Sequence, residues 1–147
     1  MTIWDAARLV KLFEREWEGS DTRGVAIDPQ RSVVAFGGQE PGVGQGEHHV
    51  VEVFDLITGE ARHELTGHEA PVRCVAFDQS GRILASGTAD GSLHLWDVST
   101  GELVHRATIL GGAVERVAFS PRGRQFATGA GDGSVCLWEL DAGQDGS

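Results

Sequence analysis

"TADGSLHLWD" at residues 88–97 is nearly repeated by "GAGDGSVCLWE" at residues 129–139. Both run Asp-Gly-Ser, an apolar residue, one variable residue, Leu-Trp and an acid. An Asp-Gly pair ahead of alternating strand-forming residues marks a hairpin, because Gly and Asp tolerate the left-handed backbone of a tight turn. Asp90-Gly91 and Asp132-Gly133 are therefore read as turns between antiparallel strands.

The phrase closes a longer unit. The aromatic–acid pairs Trp4-Asp5, Phe54-Asp55, Trp96-Asp97 and Trp138-Glu139 lie 50, 42 and 42 residues apart. The pieces "VAID", "VAFD" and "VAFS" start at Val25, Val75 and Val117, each 21 residues after the preceding aromatic. Self-similarity at a fixed period is the signature of a repeat architecture. The first unit is eight residues longer than the others, and the excess falls within "GGQEPGVGQGEHH", residues 37–49. That stretch is Gly-rich and has no apolar period, so it is expected to be an exposed loop.

Each unit reads as four short strands, here called a to d. "VRCVAFD" alternates around strand formers, "RILASG" is a short apolar run ending in Gly, "SLHLWD" is a third strand, and "TGELVHRA" is a more polar fourth after a Thr-Gly turn. Four antiparallel strands in about 42 residues describe one blade of a propeller. The start of the chain has two readings. "AARLVKLFEREWE" falls in the slot of an outer strand, yet Leu9, Leu12, Phe13 and Trp17 also have helical spacing.

Composition narrows the function. The chain has 147 residues, enough for one domain, and 40% of them are hydrophobic. Its 12 basic and 22 acidic residues give a net charge of −10. With no Lys/Arg stripe, this repels phosphate backbones and argues against nucleic acid as a partner. Charges throughout the first 17 residues argue against a signal peptide or a membrane span, and a cytoplasmic location is the expectation. Cys74 and Cys136 form no CxxC and read as small buried hydrophobes, not as a disulfide framework. His48-His49 lacks a third ligand, so no metal and no cofactor are expected.

The repeat resembles the WD40 family. The second unit, "TGHEAPVRCVAFDQSGRILASGTADGSLHLWDVSTGELV", carries Gly67-His68, Asp90-Gly91 and Trp96-Asp97 in the family's order. The resemblance implies an all-β fold of β-propeller blades and, in each, a structural tetrad linking Trp to Ser/Thr, His and Asp. Here that means Trp96, Ser86, His68 and Asp90. The third unit keeps Trp138, Thr128 and Asp132, with Leu110 in the His slot. The first has Glu18, Phe36 and Phe54 in the His, Ser and Trp slots, an apolar substitute for the polar lock. Ser86, His68 and Asp90 do not read as a catalytic set, because Trp96 claims the hydroxyl and no G-x-S-x-G turn surrounds Ser86.

The resulting division is as follows. Residues 1–22 end a preceding blade and add an outer strand. Residues 23–66 form a first blade with an inserted b–c loop at 39–49. Residues 67–108 form a second blade, residues 109–140 a third that lacks its outer strand, and residues 141–147 a flexible tail. Three blades are too few to close a ring of four to eight. The chain is thus expected to associate head to tail with copies of itself or to belong to a longer propeller.

No phosphate loop, HExxH or supported carboxylate pair is present, so the expected function is a non-enzymatic protein-interaction scaffold. The rivals are the regulatory or sensor propeller of a larger signalling enzyme and a fragment without independent activity. By resemblance, partner contacts favour the end that carries the d–a and b–c loops. Arg23, Arg73 and Glu115, each two positions before the "VA" valine, fall there, as do Glu40, Glu47, His48 and His49 of the insertion.

Overall fold

The structure is a computed structural model that describes residues 2–5, 10–14, 21–28, 33–41, 47–121 and 124–140. Among these residues every regular element is a β-strand. The first sheet orders β3 (Asp21–Asp28), β4 (Val33–Pro41), β5 (Glu47–Asp55) and β6 (Ala61–Leu65) in sequence. The second repeats that order with β7 (Val72–Phe77), β8 (Ile83–Thr88), β9 (Ser92–Asp97) and β10 (Glu102–Thr108). The third holds β11 (Val114–Phe119), β12 (Gln125–Ala130) and β13 (Val135–Glu139). All pairings are antiparallel. The flexible tail expected at 141–147 lies outside the described residues, as does the stretch that follows β2.

Near the start, β1 (Thr2–Asp5) pairs with β2 (Val10–Glu14), so the segment that also had helical spacing contributes a strand. Its register matches the outer half of a blade. Trp4 faces Lys11 and Ile3 faces Phe13, skipping Leu12, just as Trp96 faces Leu103 and Leu95 faces His105, skipping Val104.

The exposed b–c loop expected at 39–49 is corrected. Gln39 pairs with His49, Glu40 with His48 and Pro41 with Glu47, so the insertion lengthens both arms of the β4–β5 hairpin in step. Equal additions to the two arms keep the register of the rest of the sheet. Only residues 42–46, between the arms, lie outside the described residues.

The sheets stack face to face. Val33, Ala35, Val51, Val53 and Leu65 of the first bury against Val72, Val75, Leu84, Trp96 and Val98 of the second. Cys74, Ala85, Leu93 and Leu95 on the second sheet's other face bury against Val114 and Phe126 of the third. Two glycines let the backbones approach. A Cβ on Gly24 would lie 2.9 Å from the Val75 amide nitrogen, and one on Gly87 would lie 2.5 Å from Val114 Cγ1. Packing on both faces buries the second sheet's β8 and β9 along almost their whole length, the polar Ser86, Thr88, Ser92 and His94 included.

Candidate functional site

The b–c turns form where the sequence places them. Gly91 and Gly133 have φ of 87° and 88°, the left-handed conformation that lacks steric cost only without a Cβ. Each preceding Asp binds its own turn. Asp90 Oδ1 accepts the Ser92 amide at 3.1 Å and the Thr88 hydroxyl, and Asp132 Oδ1 accepts the Ser134 amide at 2.8 Å and hydroxyl at 2.6 Å. At Asp90 burial pushes the carboxyl pKa up, and the Thr88 and Ser92 hydrogen bonds outweigh it and hold the pKa below its usual value.

Behind the Asp90 turn lies a buried chain of polar contacts. Trp96 Nε1 donates to Ser86 Oγ at 2.9 Å, and Ser86 Oγ lies 2.9 Å from His68 Nε2. His68 Nδ1 lies 3.2 Å from the main-chain oxygen of His49. A carbonyl only accepts, so Nδ1 carries the proton, Nε2 is bare, and the Ser86 hydroxyl donates to it. Every group in the chain is then satisfied by a neutral imidazole. Burial first, and the charge on His94 second, push the His68 pKa down to about 4, which keeps it neutral.

This differs from the tetrad implied by resemblance. Asp90 is not the group on His68 Nδ1, because its carboxylate is taken by Thr88 and Ser92, two residues away on either side. The lengthened β4–β5 arm supplies the acceptor instead, through His49. Sequence reasoning also missed His94. It is 1% exposed, its ring stacks on Trp96 at 5.9 Å and 14°, and it lies 4.7 Å from the His68 ring. Neither of its nitrogens finds a hydrogen-bond partner among the described residues. Period-two alternation puts it on the face of Trp96, which was the available signal.

The other units follow their sequences. Trp138 Nε1 donates to Thr128 Oγ1 at 2.9 Å, while Leu110 is 90% exposed and puts nothing in the His position. Phe36 and Phe54 are both fully buried and stack at 5.3 Å and 7°. Trp96→Phe keeps the ring and removes the donor, so a loss of about 1–3 kcal/mol is expected in chemical denaturation. Phe54→Trp is expected to bring no comparable gain, since Phe36 offers its indole no acceptor. Equal midpoints for Trp96→Phe and wild type would remove the polar chain from this explanation.

The loops at this end are tied by main-chain bonds. Ala89 N donates to Pro71 O, Ile109 N to Gly91 O, Gly131 N to Ala113 O and Asp132 N to Gly111 O, all within 3.0 Å. The structure brings two candidate contact residues together, with Arg73 Nη1 3.8 Å from Glu115 Oε2 across the second and third sheets. Such a half-exposed pair is worth about 0–1 kcal/mol and leaves both side chains able to exchange partners. Arg23 is exposed in the equivalent place on the first sheet, and His49, in the arm itself, is half-buried. Glu40, Glu47 and His48 lie in the paired arms.

Among the described residues no group of three His, Cys, Asp or Glu side chains is placed to hold a metal. No helix among them is long and apolar enough to cross a membrane. Both cysteines are free thiols, and burial raises that of Cys74 to about 11. A cavity of about 180 Å³ between the second and third sheets, lined by Leu95, Ala107, Phe126, Trp138 and Leu140, is below the ~300–1,000 Å³ of small-molecule sites.

Stacked antiparallel sheets in a common strand order, with a Trp–Ser–His chain behind the b–c turn, define a repeat protein built of β-propeller blades. The family model for the WD domain, G-beta repeat, matches residues 59–97 and 104–139, and the chain belongs to this WD40 family. It is similar to the Periodic tryptophan protein 2 homolog of Schizosaccharomyces pombe, 32% identical over 72 residues covering 49% of this chain and 8% of the relative. It is also similar to the Serine-threonine kinase receptor-associated protein of Gallus gallus, 41% identical over 54 residues covering 37% and 15%. The protein of the same name from Dictyostelium discoideum is 30% identical over 98 residues, covering 65% and 30%. The chain thus spans less than a third of these relatives' length.

Proposed function

We propose that the chain is a non-enzymatic scaffold that binds protein partners at the end carrying its d–a and b–c loops. The observation that carries this reading is the main-chain bonding of those loops, which holds Arg73 and Glu115 on a preorganised surface. Arg23 and the β4–β5 arm, with Glu40, Glu47, His48 and His49, extend that surface over the first sheet. The WD40 family and its acidic charge, −10, favour protein over nucleic acid as the partner. Two free thiols suit a reducing cytoplasm.

The short span relative to its relatives also supports a second reading, in which these blades are the regulatory part of a longer signalling protein. The test uses affinity capture with quantitative mass spectrometry, comparing the chain with its Arg23→Glu, Arg73→Glu double variant. The scaffold reading expects specific partners that the double variant loses at least tenfold while keeping its circular dichroism. Identical capture by both would place binding elsewhere.

A further inference from the structure

One row of side chains crosses the second sheet, and two neighbouring loop residues fasten it at its ends. In register, Ser86 of β8 faces His94 of β9, and His94 faces Arg106 of β10. Side chains directly opposite on adjacent strands share one face of the sheet. The d–a loop between β6 and β7 crosses over this row. His68 Nε2 lies 2.9 Å from Ser86 Oγ at one end. Glu69 Oε2 lies 3.5 Å from Arg106 Nη2 at the other. His94 stands between the two fastenings, 1% exposed, with neither ring nitrogen bonded among the described residues. A polar ring buried without a hydrogen bond lowers stability and calls for a reason.

The groups that face His94 are His68 and Glu69 of the loop, Asp90 of the b–c turn, Arg106 of β10 and the neutral Ser86 and Trp96. His49 of the β4–β5 arm adjoins His68. Bonding decides which imidazole takes a first proton. His68 uses both nitrogens, so a proton on Nε2 breaks the bond from Ser86. His94 has no such bond to break. The rings lie 4.7 Å apart, so a charge on one opposes a charge on the other and the pair favours a single proton. Protonated His94 carries two N–H donors that need an acceptor. Asp90 is tied to Thr88 and Ser92 of its own turn. Glu69 has a side chain 71% exposed and a long contact with a half-exposed Arg106, which holds it weakly. The carboxylate able to move is Glu69.

We propose that His94 is a proton-operated switch of the d–a loop: protonated, it takes the Glu69 carboxylate from Arg106, and neutral, it leaves that carboxylate where it is. The exchange acts on the loop that leads into β7 and Arg73, and it uncovers the Arg106 guanidinium. Acid thus makes this part of the blade more cationic. Burial first and the Arg106 charge second lower the His94 pKa, with Asp90 and Glu69 opposing them, so the switch works on the acid side of the ordinary imidazole range. The inference stands apart from the scaffold reading, because the exchange needs no partner. A chain that captures partners while His94 never titrates in the folded state would sink the switch alone.

The test follows the histidine Cε1–H signals of the intact, isotope-labelled chain by NMR from neutral pH downward. The His94 signal is expected to titrate ahead of that of His68 while the chain is still folded. Glu69→Gln removes the receiving carboxylate and is expected to lower the His94 midpoint. Arg106→Gln removes the opposing charge, releases Glu69 and is expected to raise it, each shift being about 0.2–0.7 pH unit. Competition, as against simple proximity, shows in the double variant. With the Arg106 charge gone, Glu69→Gln is expected to lower the midpoint by more than it does in the wild type. Four results would overturn the proposal: His68 titrating first, unfolding before His94 titrates, a single variant that leaves the His94 midpoint in place, or two substitutions whose effects simply add.

Discussion

Acidification from pH 7 to pH 4 is expected to remove about 3 kcal/mol of stability from the second sheet through His68 alone. The imidazole is neutral and buried in the fold, with its pKa lowered from 6.5 to about 4. In the unfolded chain it titrates near 6.5, so between these values the unfolded state binds the extra proton. Stability therefore falls as pH drops through that window, by about 1.4 kcal/mol per pH unit of the shift. Protonation also breaks the wiring, since Nε2 would then carry a hydrogen and no longer accept from Ser86. His94 adds to the slope with the same sign, because burial first and the Arg106 charge second lower its pKa too. Urea midpoints by Trp fluorescence across pH 4–7 check this, with His94→Phe expected to show a shallower dependence. A flat profile would mean that His68 is not a neutral buried link.

Gly87→Ala is expected to cost about 3 kcal/mol. The added methyl would fall 2.5 Å from Val114 Cγ1, 2.7 Å from Cys74 Sγ and 2.7 Å from Val114 Cβ. Val114 is fully buried, so it cannot swing clear, and the second and third sheets must part. Gly129→Ala is the matched control, because the same methyl on the third sheet meets only Arg116 Cβ at 3.9 Å. It is expected to change stability by less than about 0.5 kcal/mol. Similar losses for the two glycines would refute the stacking described for the second and third sheets.

Much of this was legible because the repeat writes itself in side chains that strands need. The aromatic–acid pairs end β1, β5, β9 and β13, and the Asp-Gly pairs at 90–91 and 132–133 give the left-handed turns. The β4–β5 arm was not legible. A Gly-rich stretch without apolar period carries no local strand signal, and its arms are strands only because each pairs with the other. The Asp90 link failed for a related reason. A position in a repeat says which residue is available, whereas Thr88 and Ser92 stand only two residues from Asp90 and satisfy it at no cost in reach. The gap that this leaves on His68 is filled by His49, nineteen residues upstream, and no spacing rule connects the two. The Arg73–Glu115 pair was hidden too, since equivalent positions on successive units become neighbours only once the sheets stack.

The claim at the centre is that a neutral His68, passing a hydrogen bond through Ser86 to the Trp96 indole, makes the second blade the firmest part of the surface-bearing end. Hydrogen exchange of the indole N–H groups, followed by NMR on the intact chain, tests it most directly. The expected result is that the Trp96 indole proton exchanges at least tenfold more slowly than that of Trp138, whose Thr128 acceptor has no imidazole behind it. Equal protection of the two indoles, or faster exchange at Trp96, would contradict the account.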